Sequence, residues 1–374
     1  MSWTERYVRA DAAGSGDGTT TANSGANGAF TLAEAITNSA SNTGMRYNVM
    51  AVGGTFANTT TTRTFNGVAT TTAPNWWRGC NTAAGDLDAD FTTAKPSITF
   101  TTGQFSVTGA HQIFSNLSIT AARNGPTFIN SSATGPCQMD RCRVTNTTAN
   151  SAAFAATFNG AITVSRSYFS ATATATSVTS QAIANQIFEG NVFTGGGVGL
   201  TITVGSIVIK GNTFRATGSH GITMGSTLMT FIEGNTFRGC GGDGINITTI
   251  PTTCLIANNL FAAGLGWGIN NASGGNTNVL KRLGNDFWSN SLGTETGFGD
   301  SPSLSQLSES NDPHTSSTNL ALITGSSAKA GGQPGLFENE SYTSYLDVGA
   351  VQRQEPGGGA SVLRSSIIQG LGQI

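Results

Sequence analysis

The sequence predicts an all-β chain that folds as a single-stranded right-handed parallel β-helix, a solenoid of stacked coils, on three observations. A short phrase, usually Asn-x-Phe, returns eight times between His111 and Trp288 at intervals of 21 to 26 residues. Repeats of about 20–50 residues indicate stacked structural units. Apolar residues recur in fixed columns of this repeat, and Gly or Asn stands where each unit must bend. Helix formers are scarce, which favours short strands.

Two columns of the repeat are predicted to face the interior. One lies three residues before the Asn position and runs from Ile113 to Arg282, with seven apolar members among its eight. The other is formed by the last residue of each phrase, and it is aromatic in the final units. Its last five members are Phe193, Phe214, Phe237, Phe261 and Phe287.

An Asn column lies between the two apolar columns. An amide that recurs at every turn can bond to its neighbours above and below, as in stacked Asn ladders. We therefore expect a structural ladder that fixes the register of the coils. Its predicted members are Asn191, Asn212, Asn235, Asn259 and Asn285.

Composition excludes several other classes of protein. A leucine-rich repeat needs a Leu signature that is absent, and a propeller needs about 40 residues per blade. Only 10% of the 374 residues are charged and the net charge is −2, which argues against a nucleic-acid partner and against an anionic membrane surface. No segment approaches the ~20 apolar residues of a membrane span. Residues 1–7 lack the apolar core of a signal peptide, so we expect none.

The chain divides into four parts. Residues 1–46 are predicted to be a lead with a short capping helix, because Thr31 and Glu34 have the spacing of a capping box. Residues 47–352 form the β-helix, and residues 353–361 are a Gly-rich linker by composition. The remainder, residues 362–374, is an extended tail. Cys137 and Cys254 fall on an inward row and are interpreted as buried free thiols.

The tail carries apolar residues that would be exposed if it stood alone. We expect it to dock onto another surface as an added strand or a helix in a groove, although a frayed terminus is the simpler alternative. The residues predicted to dock are Val362, Leu363, Ile367, Ile368, Leu371 and Ile374.

A metal or cofactor is weakly indicated at most. Asp86, Asp88 and Asp90 alternate as the ligands of a calcium ion do. The positions where an EF-hand loop needs Gly and Glu are Phe91 and Ser97 here. A solvated acidic loop is the better interpretation, and we expect no cofactor.

One bend collects the best candidates for chemistry. His220 and Asp243 share a column on adjacent coils, with Arg215, Arg238 and Trp267 around them. Such a group can bind a sugar or polarise a water, since acid–base catalysis needs two groups within reach. Bends also collect polar residues without any function. The pair His220 and Asp243 is therefore a weaker candidate for catalysis than the whole group is for ligand binding.

Both ends of the chain resemble bacterial surface proteins with a β-helix of the pectin-lyase-like superfamily. Residues 28–36 are similar to their opening G-x-C-T-L-R-E-A-I, and residues 347–352 to their closing D-I-G-A-x-[EQ]. The Cys and the Arg of the opening are Phe30 and Ala33 here. The resemblance implies a secreted or displayed structural body. The motifs of polygalacturonase-type hydrolases and pectate lyases are missing, apart from a faint likeness at residues 218–221.

These observations favour a non-enzymatic structural protein of a phage-like particle, either a capsid decoration or a tail spike, located on the virion or an extracellular surface. Its expected partners are other virion or surface proteins through the tail, with a host glycan as a further candidate. The resemblance to phage tailspikes implies a homo-oligomer, with a trimer among the candidates. A bacterial adhesin or carbohydrate-binding β-helix is the first alternative. A polysaccharide lyase or glycoside hydrolase of tailspike type is the second, because fold alone does not decide function.

Overall fold

The computed structural model describes residues 3–58, 61–80, 95–131, 135–150, 153–172, 177–181, 185–275, 279–299, 303–317 and 319–328. Asp86, Asp88 and Asp90, the linker and the apolar tail lie outside the described residues. Within those ranges the chain winds as a right-handed parallel β-helix with three sheets, and from β2 to β31 each coil contributes one strand to each sheet. The predicted fold is confirmed.

Sheet A has eleven strands, all paired in parallel. They are β1 (Thr4–Val8), β2 (Met45–Met50), β5 (Asn75–Cys80), β8 (Gln112–Ser115), β11 (Cys137–Asp140), β14 (Ile162–Ser165), β17 (Gln186–Glu189), β20 (Ser206–Lys210), β23 (Met229–Glu233), β26 (Thr253–Ala257) and β29 (Leu280–Leu283).

Sheet B also has eleven strands. They are β3 (Phe56–Asn58), β6 (Ser97–Phe100), β9 (Ser118–Ala121), β12 (Arg143–Asn146), β15 (Tyr168–Ala171), β18 (Val192–Gly195), β21 (Thr213–Arg215), β24 (Thr236–Arg238), β27 (Leu260–Ala262), β30 (Asp286–Trp288) and β32 (Leu307–Ser308).

Sheet C has ten strands. They are β4 (Arg63–Phe65), β7 (Phe105–Val107), β10 (Gly125–Asn130), β13 (Ala153–Phe158), β16 (Val178–Ser180), β19 (Leu200–Ile202), β22 (Ile222–Met224), β25 (Ile245–Ile247), β28 (Trp267–Asn271) and β31 (Gly293–Thr296).

The interior is held by the two predicted stacks. The ring centroids of Phe193 and Phe214 are 4.7 Å apart with nearly parallel planes, and the stack continues with similar geometry through Phe237, Phe261 and Phe287. Offset stacking adds to the free energy gained by burying each ring. The aromatic column is confirmed.

The Asn ladder forms at the bend between sheets A and B. The backbone N and Nδ2 of Asn191 both donate to Oδ1 of Asn212, at 2.8 and 2.9 Å. The same pattern repeats down to Asn285. Each Nδ2 also donates to a backbone carbonyl of the coil above, as Asn212 does to Phe188. Buried polar groups are thereby satisfied at every turn, which confirms the predicted ladder.

The N-terminal end is closed by a helix, α1 (Leu32–Ser39). Thr31 is its N-cap: the N–H of Glu34 donates to Thr31 Oγ1 at 3.2 Å, and the N–H of Thr31 donates to Glu34 Oε2 at 2.8 Å. The capping box is as predicted. The sequence did not place the residues before the helix. They pack on the rod, because β1 is the first strand of sheet A.

The C-terminal end of the interior is closed by a charged residue. Arg282 occupies the inward position beneath Ile256, and its side chain is almost completely buried. Its Nε lies 3.1 Å from Glu295 Oε2, and its guanidinium stacks on Phe298 at 3.7 Å. Burial raises the pKa of the Glu295 carboxyl, although the Arg282 charge opposes this. An inward Arg cannot continue an apolar column, so the core ends here.

After β32 the chain turns back over the outside of sheet B. We call residues 309–317 and 319–328 the strap. Asp312 accepts from both Nη atoms of Arg238 at 2.8 and 2.6 Å, and Ala328 packs on Leu260. The apolar residues 320–323 add no strand to the solenoid, because Leu322 makes an isolated antiparallel bridge with His314 inside the strap.

Two further sequence predictions can be compared with the structure. Ile113 points outward, because Met139 pairs with Phe114 and not with Ile113. The prediction was wrong by one residue in this coil. All five cysteines are free and buried, as expected. Burial raises the pKa of the Cys137 and Cys254 thiols. None of the helices in the described ranges has the length and apolarity to cross a membrane.

Candidate functional site

The outer face of sheet B presents two columns of side chains that run along the rod. One column contains Thr145, Ser170, Thr194, Arg215 and Arg238 in register. Neighbouring strands lie about 4.8 Å apart. Successive hydroxyls are therefore displayed at nearly that interval over three coils.

The neighbouring column contains Tyr168, the only aromatic side chain on this outer face between Arg143 and Arg215 within the described residues. Arg143, Tyr168, Val192 and Thr213 follow one another in register. The Arg143 guanidinium lies 4.6 Å from the centroid of the Tyr168 ring. This cation–π contact fixes the ring plane at an exposed site.

The two ends of the face differ in exposure. From Arg143 to Arg215 the outward side chains are half-buried or exposed. Beginning with Thr236 and Arg238 they are buried, and Leu260 and Asp286 have no exposed area at all. The strap covers this second part, so the open face ends at Arg215. We call the first part the open half and the second part the covered half.

A groove of about 620 Å³ runs along the open half. Its floor is Gly-rich because a side chain at Gly195 would meet the carbonyl of Ala171 at 2.5 Å, and Gly195 has a φ of 66°, which favours Gly. The residues that line it are Tyr168, Ser170, Ala171, Thr172, Thr194, Gly195, Gly196, Gly197, Ala216, Gly218 and Ser219.

Three side-chain hydroxyls of the groove have no partner among the described residues. Among the described residues, the hydroxyls of Tyr168, Ser170 and Thr194 make no hydrogen bond. Arg215 borders the groove beside Ala216, and within the same ranges it forms no ion pair. Donors and acceptors on a rigid backbone, with an aromatic face nearby, suit a hydroxyl-rich ligand.

The groove carries positive charge without acidic partners. On the open half, the charged side chains of the two columns are Arg143 and Arg215, and neither column contains an Asp or Glu there. A field of one sign attracts ligands of opposite charge. The groove therefore accepts neutral or anionic ligands more readily than cations.

His220 and Asp243 lie together on the bend between sheets B and C. His220 Nδ1 accepts a hydrogen bond from the backbone N–H of Asp243 at 2.9 Å. Asp243 Oδ1 in turn accepts from the N–H of Trp267 at 2.8 Å, and its Oδ2 accepts from Asn270 Nδ2 at 2.9 Å. Because Nδ1 already accepts a hydrogen bond, it carries no proton to donate to the carboxylate 3.4 Å away, as a catalytic His–Asp pair requires.

The structure separates the five residues that the sequence grouped. Trp267 stands one coil after Asp243 at the same bend, where its carbonyl accepts from the N–H of Gly244, and its ring packs over Gly293. Arg215 borders the open groove. Arg238, one coil further, is buried under the strap, where it binds Asp312 and lies 5.8 Å from the ring of Trp288. The predicted single site is thus divided between the bend, the groove and the surface under the strap.

The two titratable side chains that bind Arg238, Asp312 and His314, have shifted pKa values. The Arg238 hydrogen bonds lower the pKa of Asp312 to about 2. Burial and the Arg238 charge lower the pKa of His314 to about 4, so this ring is neutral at pH 7 and its Nδ1 can accept from Arg238 Nη1 at 2.8 Å. Within the described ranges, no three His, Cys, Asp or Glu side chains lie together as metal ligands.

Comparison with known proteins defines the class. The family model of the right handed beta helix region matches residues 103–261 and 159–307. These matches together span more than half of the sequence, and the chain belongs to this family. No curated protein matches the chain.

Two solved structures are similar. Pectate lyase Pel9A has a TM-score of 0.69 at 17% identity, covering 95% of this chain and 98% of that one. A PL6 family polysaccharide lyase from Pseudopedobacter saltans has a TM-score of 0.40 at 13% identity, covering 78% of this chain and 94% of that one. At 17% identity the likeness to the pectate lyase concerns the fold alone.

Sequence reasoning missed the groove and the strap. Ser170, Thr194 and the glycines at 195–197 match no chemical motif, since Ser, Thr and Gly occur throughout the chain. One available signal was the column from Thr145 to Arg215, which could have been read as a row of hydroxyls ending in a cation. Asp312 stands before Pro313 as in a turn, and no pattern links it to Arg238, which lies 74 residues away in the sequence.

Proposed function

We propose that this chain is a rigid carbohydrate-binding β-helix that holds an extended polysaccharide along the open half of sheet B. The observation that carries this proposal is the groove beside Tyr168, where unpaired hydroxyls and a fixed aromatic ring face solvent. Sugars present an apolar ring face for stacking and hydroxyls for hydrogen bonds. A row of subsites repeating every coil suits a polymer better than a small molecule. Likeness in fold to a pectate lyase supports a polysaccharide as ligand.

The test uses affinity electrophoresis in gels containing soluble polygalacturonate, alginate or xylan. Retarded migration of the full chain in at least one of these gels is the expected result. Tyr168→Ala removes the stacking ring and should reduce the retardation at least severalfold, whereas Tyr168→Phe keeps the ring and should retain most of it. Arg215→Ala removes one positive charge beside the groove and should weaken retardation by the anionic polysaccharides. Lys281→Ala is its matched control, because it also removes one positive charge and Lys281 is exposed on sheet A. Equal retardation of Tyr168→Ala and the unchanged chain would contradict the proposal.

Cleavage of the polysaccharide is a second candidate function. The observation favouring it is the near-complete coverage of a pectate lyase by this chain at a TM-score of 0.69. Lyases need a base to remove a proton from the sugar, and a general base works best with a pKa near the operating pH. The described open half offers Arg143, Arg215 and Tyr168, of which Arg stays protonated. Binding therefore accounts for the groove better than cleavage does.

Ultraviolet absorbance of unsaturated sugar ends separates these two functions. Incubation with polygalacturonate should give no signal above a buffer blank, with and without added calcium. A signal lost in His220→Ala and Asp243→Ala would assign catalysis to that pair. A signal that both variants retain would place the base elsewhere in the chain.

Display on a phage-like particle remains our proposal for where this function is used. A solenoid whose coils are fixed by the Asn ladder is stiff, which suits a body that holds a binding face away from a surface. We further propose attachment of the apolar tail to another virion or surface protein, and assembly as a homo-oligomer. Deleting residues 362–374 should abolish incorporation into the particle while the circular dichroism of the chain stays unchanged. Unchanged incorporation would exclude the tail as the anchor.

A further inference from the structure

The covered half of sheet B repeats the chemistry of the open half. Arg238 lies over the ring of Trp288, as Arg143 lies over Tyr168. Arg238 also continues the column of Ser170, Thr194 and Arg215 without a break in register. The same face therefore carries a second arginine–aromatic pair, and the strap lies on it.

The strap is held at two places. At the first, Asp312 and His314 bind Arg238. At the second, Glu309 lies beside Asp286, a fully buried residue of β30: the N–H of Glu309 donates to the carbonyl of Phe287 at 3.0 Å, and Leu307 pairs with Asp286. Ser327 donates to Asp286 Oδ2 at 3.3 Å, and Ser326 Oγ and the N–H of Ala328 donate to Glu309 Oε1. The carboxyl pair thus ties both ends of the strap to sheet B.

We propose that the strap is an autoinhibitory cover over a second polysaccharide subsite, and that the Asp286–Glu309 carboxyl pair makes its release dependent on pH. This inference rests on the proposed function, because it assigns the covered half to the same ligand. Release of the strap would extend the binding face from Arg215 to Arg238 and Trp288, roughly doubling the number of aromatic subsites.

The carboxyl pair is stable only when it holds a proton. Two adjacent carboxylates repel each other, whereas one protonated carboxyl donates a hydrogen bond to the other. Glu309 is the charged group facing Asp286, since its strand neighbours are Leu260 and Leu307. Glu309 also interacts electrostatically with His314, which lies with Asp312 against Arg238.

The direction of the pH effect follows from Asp286. Burial, and then the Glu309 charge, raise the pKa of Asp286 from its ordinary value of 3.8 to about 7. The docked strap therefore holds a proton that the released strap loses between these two pH values. Through Asp286 alone, the ratio of docked to released strap falls by up to about tenfold per pH unit in that window and then levels off. His314 acts in the opposite direction, because docking lowers its pKa from 6.5 to about 4 and the docked strap is therefore stabilised as the pH rises between these values. Asp312 stays ionised throughout the window, so its bond to Arg238 does not change.

The experiment compares the full chain with Asp286→Asn, which mimics the protonated carboxyl and removes its titration. Amide hydrogen exchange, corrected for its intrinsic pH dependence, is followed in the strap at about pH 5 and about pH 8. The His314 contribution is common to both proteins, so the ratio of strap protection in the unchanged chain to that in Asp286→Asn isolates the carboxyl pair. This ratio should fall at least tenfold from about pH 5 to about pH 8. The same pH dependence in both proteins would overturn the latch. Protection in β20, far from the strap, serves as the internal control.

Affinity electrophoresis tests the cover separately. In the polysaccharide gel that retards the chain, the retardation of the unchanged chain relative to that of Asp286→Asn should increase severalfold from about pH 5 to about pH 8. If the strap opens and retardation stays constant, the surface beneath it is not a subsite, while the open groove remains. If the strap opens and no gel retards the chain at either pH, the proposed function fails and with it the second subsite, although the latch itself stands.

Discussion

The open and covered halves of sheet B are built on the same coils but face different surroundings. Ser170 and Thr194 lie in a solvent-filled groove, whereas Arg238 and Leu260 are buried beneath the strap. Their positions in the repeat are equivalent, so the solenoid alone does not determine which outward residues are accessible. Accessibility depends on the twenty-odd residues that fold back after the last coil.

Removing a buried ring should lower the free energy of unfolding equally in both halves, and this is the largest effect expected. Phe214→Ala in the open half and Phe261→Ala in the covered half each remove a buried ring from the stack. A loss of about 3–5 kcal/mol in the free energy of unfolding is expected for each, measured by urea denaturation. Arg215→Ala, one residue from Phe214 but outward, should change it by less than about 0.5 kcal/mol. A much smaller loss for Phe261→Ala would show that the strap compensates for core defects.

The Asn ladder is predicted to be the next most sensitive feature. In Asn235→Ala, the N and Nδ2 atoms of Asn212 lose their acceptor in a fully buried environment. Each buried group left unpaired costs roughly 1–3 kcal/mol. Thermal unfolding checks this, with Asn124→Ala as the control because Asn124 is an exposed amide on the bend before β10. Equal melting temperatures for the two variants would mean that the ladder adds no stability.

The Arg238–Asp312 contact should affect the covered half alone. Asp312→Asn weakens a charge-assisted bond worth about 1.5–3 kcal/mol, which should expose the strap and Thr236 to faster amide exchange. The same contact predicts an acid effect, because the pKa of Asp312 is lowered to about 2. Its stabilisation is complete above the ordinary carboxyl pKa and is lost as the pH falls through about 2. Faster exchange in the open half as well would contradict a local role.

The smallest effect is expected at His220. His220→Ala removes the acceptor for the N–H of Asp243 at a partly exposed bend, for a loss of about 0.5–1.5 kcal/mol. Polysaccharide retardation should be unchanged, because the ring does not line the groove. A loss of retardation as large as that of Tyr168→Ala would move the binding site to the bend.

The sequence predicted what repeats and missed what does not. Asn212 and Phe214 could be assigned because each recurs at a fixed interval, and equivalent positions stack in a parallel solenoid. The exception was Ile113, where a one-residue shift in an irregular coil exchanged the inward and outward sides. The outward column was visible as well, but no periodicity separates a hydroxyl that binds ligand from one that only meets water.

The strap was out of reach for a different reason. The contact between Arg238 and Asp312 joins residues 74 positions apart, and neither occupies a repeating pattern that links them. Arg215 and Arg238 occupy equivalent positions of adjacent coils. The sequence could not indicate that only Arg238 finds an anionic partner within the described chain.

The most direct test of the account is a crystal structure of the full chain with an oligosaccharide of the polysaccharide that retards it. The account predicts electron density for sugars along the open half of sheet B, with one ring stacked on Tyr168 and hydroxyls bonded to Ser170 and Thr194. Sugars bound instead on sheet A, or at the bend of His220 and Asp243, with the groove empty, would contradict it.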